Sequence, residues 1–447
     1  MQQAAAAGLV FIYFLWFAGP WITAGFTPDD LMNTHRALEQ PLSKLLLDHV
    51  TVYLPTPEYR PFGNLLYRVL YRSFGFWAPP YHLILYVVLA ANVYLTYLFA
   101  RMLTGSASAG WAASVFHAWH GNWTTLHVSF GFCFDVLCYF FYVAALLAFG
   151  AGRYLLFLAL FVLSLDSKEM AVALPVVCLI WRGRECARAA TAAITAGVIT
   201  AVFIGGRLMV RDGLVVNQAY QPSFDLATLF SRLHHFLTLA AYGESRVIWA
   251  LLILTGAAAW GLWRDRQATL VSLAIAFIGI LPVAFIPQRG LECAYVPFLG
   301  IATLLALPVA RVAPQPLAAA ALAVLLAGSL HHFRREKHPE IYLGETEHIM
   351  SVARQLRDRQ PCLAKGTHVL FLRDPFPQFD WNSYFLMRLL YDDPTVEVDR
   401  PGRSRYGPNY DVVFDWDAGG GPGQGVLRRS SLEATSTSTA PNRMPSK

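Results

Sequence analysis

Long apolar stretches alternate with short polar connectors along most of this chain. On the criterion of about twenty apolar residues per bilayer crossing, they predict roughly eleven transmembrane helices, at about 5–26, 80–101, 108–119, 128–150, 153–165, 169–182, 187–206, 246–263, 268–287, 292–310 and 315–333. Segment 108–119 is short enough to be a half-span. The opening run "AAAAGLVFIYFLWFAGP" has no Lys or Arg before it, unlike a cleaved leader, and reads as a retained first helix.

Two long connectors interrupt this pattern. "DLMNTHRALEQPLSKLLLDHV" and "DLATLFSRLHHFLTLAAYG" carry apolar residues near helical spacing with polar residues between them, as helices lying in the membrane interface do; helices that merely cover the bundle fit as well. After residue 333 the pattern changes again. "RREKHPEIYLGETEHIMSVARQLRDRQ" and "WNSYFLMRLLYDD" read as helices, "HVLFLRDP" and "YDVVFDW" as strands. The expected organisation is a membrane all-α bundle over 1–333, a small α/β domain over 334–416, and a Gly/Ser/Thr/Pro-rich disordered tail over 417–447.

Composition supports the membrane reading. Of 447 residues, 55% are hydrophobic and only 14% charged, against about a quarter charged in soluble domains. The net charge of +6 is spread along the chain and is no nucleic-acid footprint. The six cysteines form no CxxC pair and read as packing residues. With the N-terminus inside, the inner connectors hold Arg101, Arg153, Arg182, Arg184, Arg188, Arg264, Arg266 and Arg311, whereas the short outer ones hold only Lys168 and Arg289. That asymmetry predicts a cytoplasmic N-terminus and an extracytoplasmic C-terminal domain in the plasma (inner) membrane.

Ionisable residues at span ends are costly unless paired or solvated, and so point to functional cavities. Four clusters fall on the outer side. Asp29 and Asp30 follow the first span; one of such a pair can serve as general base while the other binds a metal or caps the following helix. "EYRPFGNLLY" carries Glu58, Arg60 and Asn64, with Arg60 suited to a phosphate or to a structural ion pair. "DSKEMAVALP" carries Asp166, Lys168 and Glu169, with Lys168 a lipid-phosphate contact partnered by Glu169 or a snorkelling lysine. "IPQRGLECAYVPFLG" carries Arg289, Glu292 and Tyr295, where Arg289 and Glu292 either pair or share a cavity. "HAWHGNWTTLH" adds His117, His120 and His127; the first two at helical spacing are compatible with a metal or with cavity lining.

Taken in order, "FTPDD", "YRPFGNLLYRVLY", "PPYHLILYVVLAANVYLTYL", "VFHAWHGNW", "DSKEMAVALP" and "RGLECAYVPFLG" resemble the membrane region of the polytopic GT-C glycosyltransferases that use polyprenyl-phosphate sugars. The nearest branch is that of the protein O-mannosyltransferases and their tetratricopeptide-bearing relatives. The resemblance covers about residues 10 to 300. It implies an inverting transfer from a polyprenyl-phosphate-linked sugar to a hydroxyl of a glycan, lipid or protein acceptor on the outer face. Asp29 and Asp30 would supply the catalytic carboxylate, Arg60, Lys168 and Arg289 would hold the donor phosphate, and Glu58, Asn64, His120, Glu169, Glu292 and Tyr295 would line the cavity. A divalent metal is left open as cofactor. Two departures leave the acceptor undefined: the chain lacks tetratricopeptide repeats, and "HAWHGNW" stands where a His-Pro pattern is expected. The competing classes are a flippase of lipid-linked glycans, which would ordinarily show internal repeats, and a non-catalytic membrane scaffold.

Overall fold

The computed structural model describes residues 19–50, 60–182, 186–209, 221–287, 289–312, 326–332, 338–376, 381–400, 410–417 and 425–430, with a few isolated positions besides. Half of the expected first span, most of the last and Glu58 lie outside the described residues. The chain forms two compact units. One comprises Met1–Ala24 with Arg36–Leu343, the other Gly25–His35 with Gly344–Lys447.

In the first unit, helices run over Leu42–Val50 (α2), Pro61–Phe74 (α3), Pro79–Thr104 (α4), Ala107–Ala118 (α5), Cys133–Gly150 (α6), Tyr154–Ser167 (α7), Leu174–Arg182 (α8), Ala187–Met209 (α9), Leu226–Ala240 (α10), Val247–Arg264 (α11), Arg266–Ala284 (α12) and Phe298–Val312 (α13). Helix α1, Pro28–Glu39, starts in the second unit and its last turn belongs to the first. Among the described residues five segments are long and apolar enough to cross a bilayer: Pro79–Thr104, Phe130–Gly150, Ala187–Met209, Glu244–Arg264 and Arg266–Ala284. Tyr154–Ser167 and Phe298–Pro308 are shorter apolar helices. This is a multi-pass membrane protein.

The other short apolar runs differ from uniform spans for a geometric reason. At 1.5 Å per residue, the 12-residue α5 reaches only about 18 Å, well short of a ~30 Å hydrocarbon core. The run expected at 169–182 is divided into a 3₁₀ turn, Glu169–Ala173, and the nine-residue α8. The run at 292–310 likewise starts as a 3₁₀ turn, Leu291–Ala294, before α13.

Helices α6 and α7 pack as an antiparallel hairpin, and α4 lies against both α5 and α6. Their interior is aromatic, with Tyr67, Phe130, Tyr139, Tyr142, Phe149, Phe157 and Phe161 almost fully buried. Polar groups inside it are paired: Asn92 Nδ2 donates to the Val136 carbonyl at 3.0 Å, and the Thr96 and Tyr139 hydroxyls meet at 2.6 Å. Such satisfied contacts in a lipid-surrounded bundle fix which faces of α4 and α6 meet.

In the second unit, β1 (His368–Phe371), β2 (Glu397–Asp399), β3 (Val412–Asp417) and β4 (Val426–Ser430) form a sheet of order β2-β1-β3-β4. The first three strands are parallel and β4 is antiparallel to β3, with Trp416 opposite Leu427. Helices α14 (His338–Arg359) and α15 (Asn382–Leu390) complete the unit. Ile349, Val352, Ala353 and Leu356 of α14 are buried at the spacing of one helical face. The placement of β4 corrects the expectation of a tail disordered from 417 onward: after a Gly/Pro-rich stretch, the short run "VLRRS" pairs along β3 and buries Leu427. Gly25 belongs to this unit because α14 comes so close that a Cβ there would meet Met350 Cγ at 2.4 Å.

Candidate functional site

The charged residues at the ends of α3, α6, α7, α12 and α13 converge within the first unit. Helix α3 starts with Pro61 behind Arg60, a proline suited to the first helical position. It approaches α6 so closely that a Cβ on Gly63 would lie 2.2 Å from the Phe134 ring. The approach brings the Arg60 guanidinium carbon to 5.2 Å from that ring's centre, and Arg60 reaches Glu169 at 3.3 Å. Both partners of this pair are about 30% exposed, at 31% and 27%.

Next to it lies a fully buried pair, Lys168 Nζ against the Asp135 carboxylate, with each side chain 5% exposed. The sequence reading gave Lys168 the neighbouring Glu169 as partner. Lys168 has extended backbone, φ −162° and ψ 149°, so consecutive side chains diverge: Lys168 turns to Asp135 and Glu169 turns to Arg60. Asp135 was missed. Its signal was present as a lone acid in the apolar stretch "GFCFDVLCYF".

From the other side come Arg289, Glu292 and Cys293 on the turn before α13. Cys293 Sγ is 4.0 Å from Lys168 Nζ. Arg232 of α10 donates to the Arg289 carbonyl and lies over Phe236, its guanidinium carbon 5.0 Å from the ring centre. Arg289 is half-buried. Arg207, at the end of α9, is within electrostatic reach of Glu169.

These groups shift one another. Burial pushes the Glu169 carboxyl up, but Arg60 and Lys168 outweigh it and hold the group well below the usual range. For Lys168, burial disfavours the charge and the Asp135 carboxylate more than restores it, so the ammonium is firmly protonated. Glu292 moves the other way, raised by burial and by Asp135. Burial also raises the Cys293 thiol to about 11, leaving it protonated at neutral pH. Among the described residues the cluster brings together the cations Arg60, Lys168, Arg207, Arg232 and Arg289 and the carboxyls Asp135, Glu169 and Glu292. The named cations outnumber these carboxyls even with Asp166, buried two residues before Lys168, counted among them, a field suited to an anion.

Asn64 is half-buried on the first turn of α3, its N–H bonded to the Arg60 carbonyl at 3.1 Å. Tyr295 is buried beneath the cluster, between the rings of His117 (4.6 Å) and Tyr139 (4.7 Å). His120 does not share a helical face with His117, because α5 ends at Ala118 and the chain turns through Trp119. His117 Nε2–H donates to the Tyr295 carbonyl and His120 Nε2–H to the Ala240 carbonyl, both at 2.9 Å. Burial lowers His120 to about 4, so it is neutral at physiological pH. Among the described residues no three His, Cys, Asp or Glu side chains form a group suited to a metal.

In the second unit, Thr27, Pro28 and Asp30 open α1 as a capping box. Asp30 Oδ2 accepts from the Thr27 N–H and hydroxyl, each at 2.8 Å, and the Asp30 N–H reaches back to Thr27 Oγ1 at 3.4 Å. Asp30 is fully buried, whereas Asp29 is exposed. Glu345 on α14 is pushed up by burial and by the Asp29 carboxylate, so the two acids are electrostatic neighbours. Buried His35 packs against Phe385 at 4.9 Å, and its Nε2 is 3.4 Å from Arg388.

No protein-family model matches the chain, and no curated protein matches it. Solved structures share its fold, two of ArnT among them. One is ArnT from Cupriavidus metallidurans bound to undecaprenyl phosphate, at TM-score 0.54 and 13% identity over 89% of this chain and 89% of that one. The other is ArnT from Cupriavidus metallidurans in the apo state, at TM-score 0.53 and 12% identity over 88% of this chain and 85% of that one. At this identity the likeness is one of fold.

Proposed function

We propose that this chain, with the ArnT fold and a cationic cluster formed by the ends of α3 and α7 and the turn before α13, is an inner-membrane inverting glycosyltransferase. It moves a sugar from a polyprenyl-phosphate donor to an acceptor hydroxyl on the outer face. The observation that carries this reading is the net positive Arg60–Lys168–Arg289 cluster, held at helix ends in a fold whose solved example binds undecaprenyl phosphate. The full complement of about eleven spans, the cytoplasmic N-terminus and the extracytoplasmic C-terminal domain belong to the same reading.

In this mechanism the partly exposed Arg60 and Arg289 meet the donor phosphate directly, because their guanidinium groups offer forked donors to phosphate oxygens. Lys168, fixed from behind by Asp135, supplies positive potential where negative charge develops on the leaving phosphate. Glu292 lies beside them, its carboxyl raised by burial. The resemblance in sequence gives Asp29, which is exposed, the part of the base that takes the proton from the acceptor hydroxyl, and Asp30 holds the helix that carries it. Asn64, Glu58, His120, Glu169 and Tyr295 shape the cavity. A carboxylate such as Asp29 can also serve a divalent ion, and metal dependence is settled by assaying with and without a chelator.

The test pairs purified protein with labelled polyprenyl-phosphate sugars and a panel of acceptor hydroxyls. Transfer is expected, abolished by Asp29→Asn with donor binding retained, and weakened at the donor-binding step by Arg60→Gln or Arg289→Gln. Full activity in both Asp29→Asn and Asp30→Asn overturns the assignment of the base. Donor translocation in proteoliposomes that survives both changes, without transfer, replaces the enzyme by a flippase.

A further inference from the structure

A second basic site lies at the other end of the same helices. Between the last turns of α4 and α6 and the first turns of α7 there is an open groove of about 680 Å³, lined by Leu95, Leu147, Leu156, Arg101, Arg153 and Gly105 among others. The described lining residues include two arginines and no carboxylate. Helix α6 carries Asp135 near its start and lines the groove from Ala144 onward, so at 1.5 Å per residue the near wall is ~14 Å along the helix from Asp135 and the arginine end ~22 Å. It is a separate site.

We propose that this groove binds an anionic glycerophospholipid of the membrane leaflet, with one acyl chain along the apolar walls and the phosphate between Arg101 and Arg153. Three observations favour this occupant. First, the polar and apolar parts are segregated: both arginines are exposed at one end, while leucines and alanines form the walls. Second, Arg101 is steadied at that end, donating to the Tyr97 hydroxyl at 3.3 Å with its guanidinium 6.0 Å from the same ring's centre. A guanidinium so placed still turns donors toward a phosphate.

Third, the dimensions suit one leaflet. From Leu95 to Gly105 the wall contributed by α4 spans about 15 Å, half the thickness of a ~30 Å hydrocarbon core. An ordinary acyl chain fills that length, and a polyprenyl chain exceeds it severalfold. Arg182 and Arg188 lie near Tyr154 at the same end and reinforce the attraction for an anionic headgroup.

The experiment is native mass spectrometry of the delipidated full-length protein, titrated with phosphatidylglycerol, phosphatidylcholine or a polyprenyl phosphate. Phosphatidylglycerol is expected to bind at least ten-fold more tightly than phosphatidylcholine. The exposed double variant Arg101→Gln/Arg153→Gln should lose about thirty-fold of that affinity, taking ~1 kcal/mol per basic residue. Ala144→Trp, which fills the groove, should abolish the binding with both arginines in place, and Arg60→Gln at the distant cluster should leave it unchanged. Equal affinity for the two phospholipids, unchanged binding in the double variant, or loss through Arg60→Gln would each overturn the site. Tighter polyprenyl-phosphate binding that depends on Arg101 and Arg153 would replace the phospholipid by the carrier lipid.

Discussion

Lys168 and Asp135, 33 positions apart in sequence, form a buried ion pair that joins the end of α7 to the start of α6. Removing one partner strands a charge in a low-dielectric interior, at a cost of about 3–5 kcal/mol. Asp135→Leu and Lys168→Met should each lower the thermal midpoint of the detergent-solubilised protein sharply. The double variant should recover much of the loss, and additive losses would show that the pair is not coupled.

The Arg60–Glu169 pair predicts a different outcome. Both side chains are about 30% exposed, so solvent screens the pair and it contributes no more than about 1 kcal/mol to stability. Arg60→Gln should leave the midpoint nearly unchanged while raising the KM for a polyprenyl-phosphate donor several-fold. A large stability loss with unaltered KM would make Arg60 a structural residue.

Acid should loosen this corner of the molecule. The Glu169 carboxyl is held below its ordinary value of 4.5 by Arg60 and Lys168 despite burial, so the stabilisation it contributes is complete above that value and fades as pH falls through the folded-state value. Between about pH 5 and pH 3 the wild-type midpoint should fall more steeply than that of Glu169→Gln. Parallel curves would deny the coupling.

Asp29 and Asp30 should separate cleanly. Loss of the capping box through Asp30→Ala should cost about 1–2 kcal/mol, read as earlier melting or faster proteolysis of the second unit. The exposed Asp29, changed to Asn, should leave that melting in place. Equal destabilisation by both would place Asp29 in the fold rather than in the chemistry.

Two natural cysteines report the topology. Cys186 and Cys362 are exposed, while Cys133, Cys138, Cys178 and Cys293 are buried. In right-side-out vesicles, a membrane-impermeant maleimide should modify Cys362 and spare Cys186 until the membrane is opened. The reverse pattern would invert the orientation drawn from the arginine distribution.

The long spans were legible because twenty apolar residues in a row leave few alternatives. The short ones were less so: hydropathy alone cannot show that "EMAVA" and "LECA" wind as 3₁₀ turns. Strands β2 and β4, three and five residues long, are too brief to stand out, and β4 follows a glycine-rich run that reads as tail. At the candidate site, the basic members stood out as charges at span ends. Asp135 could have been found by the same rule applied inside a span. Arg232 looked like any basic residue on an amphipathic helix, and Glu345 gave no signal, since its proximity to Asp29 arises from packing of α14 rather than from local pattern.

The buried Lys168–Asp135 contact also has a mechanical consequence. A slip of α7 along α6 by one helical turn, about 5.4 Å, would leave an ammonium and a carboxylate unmatched in an apolar interior. The pair therefore acts as a register pin: it makes this hairpin a strut, and any motion that opens the cationic cluster must come from elements outside it.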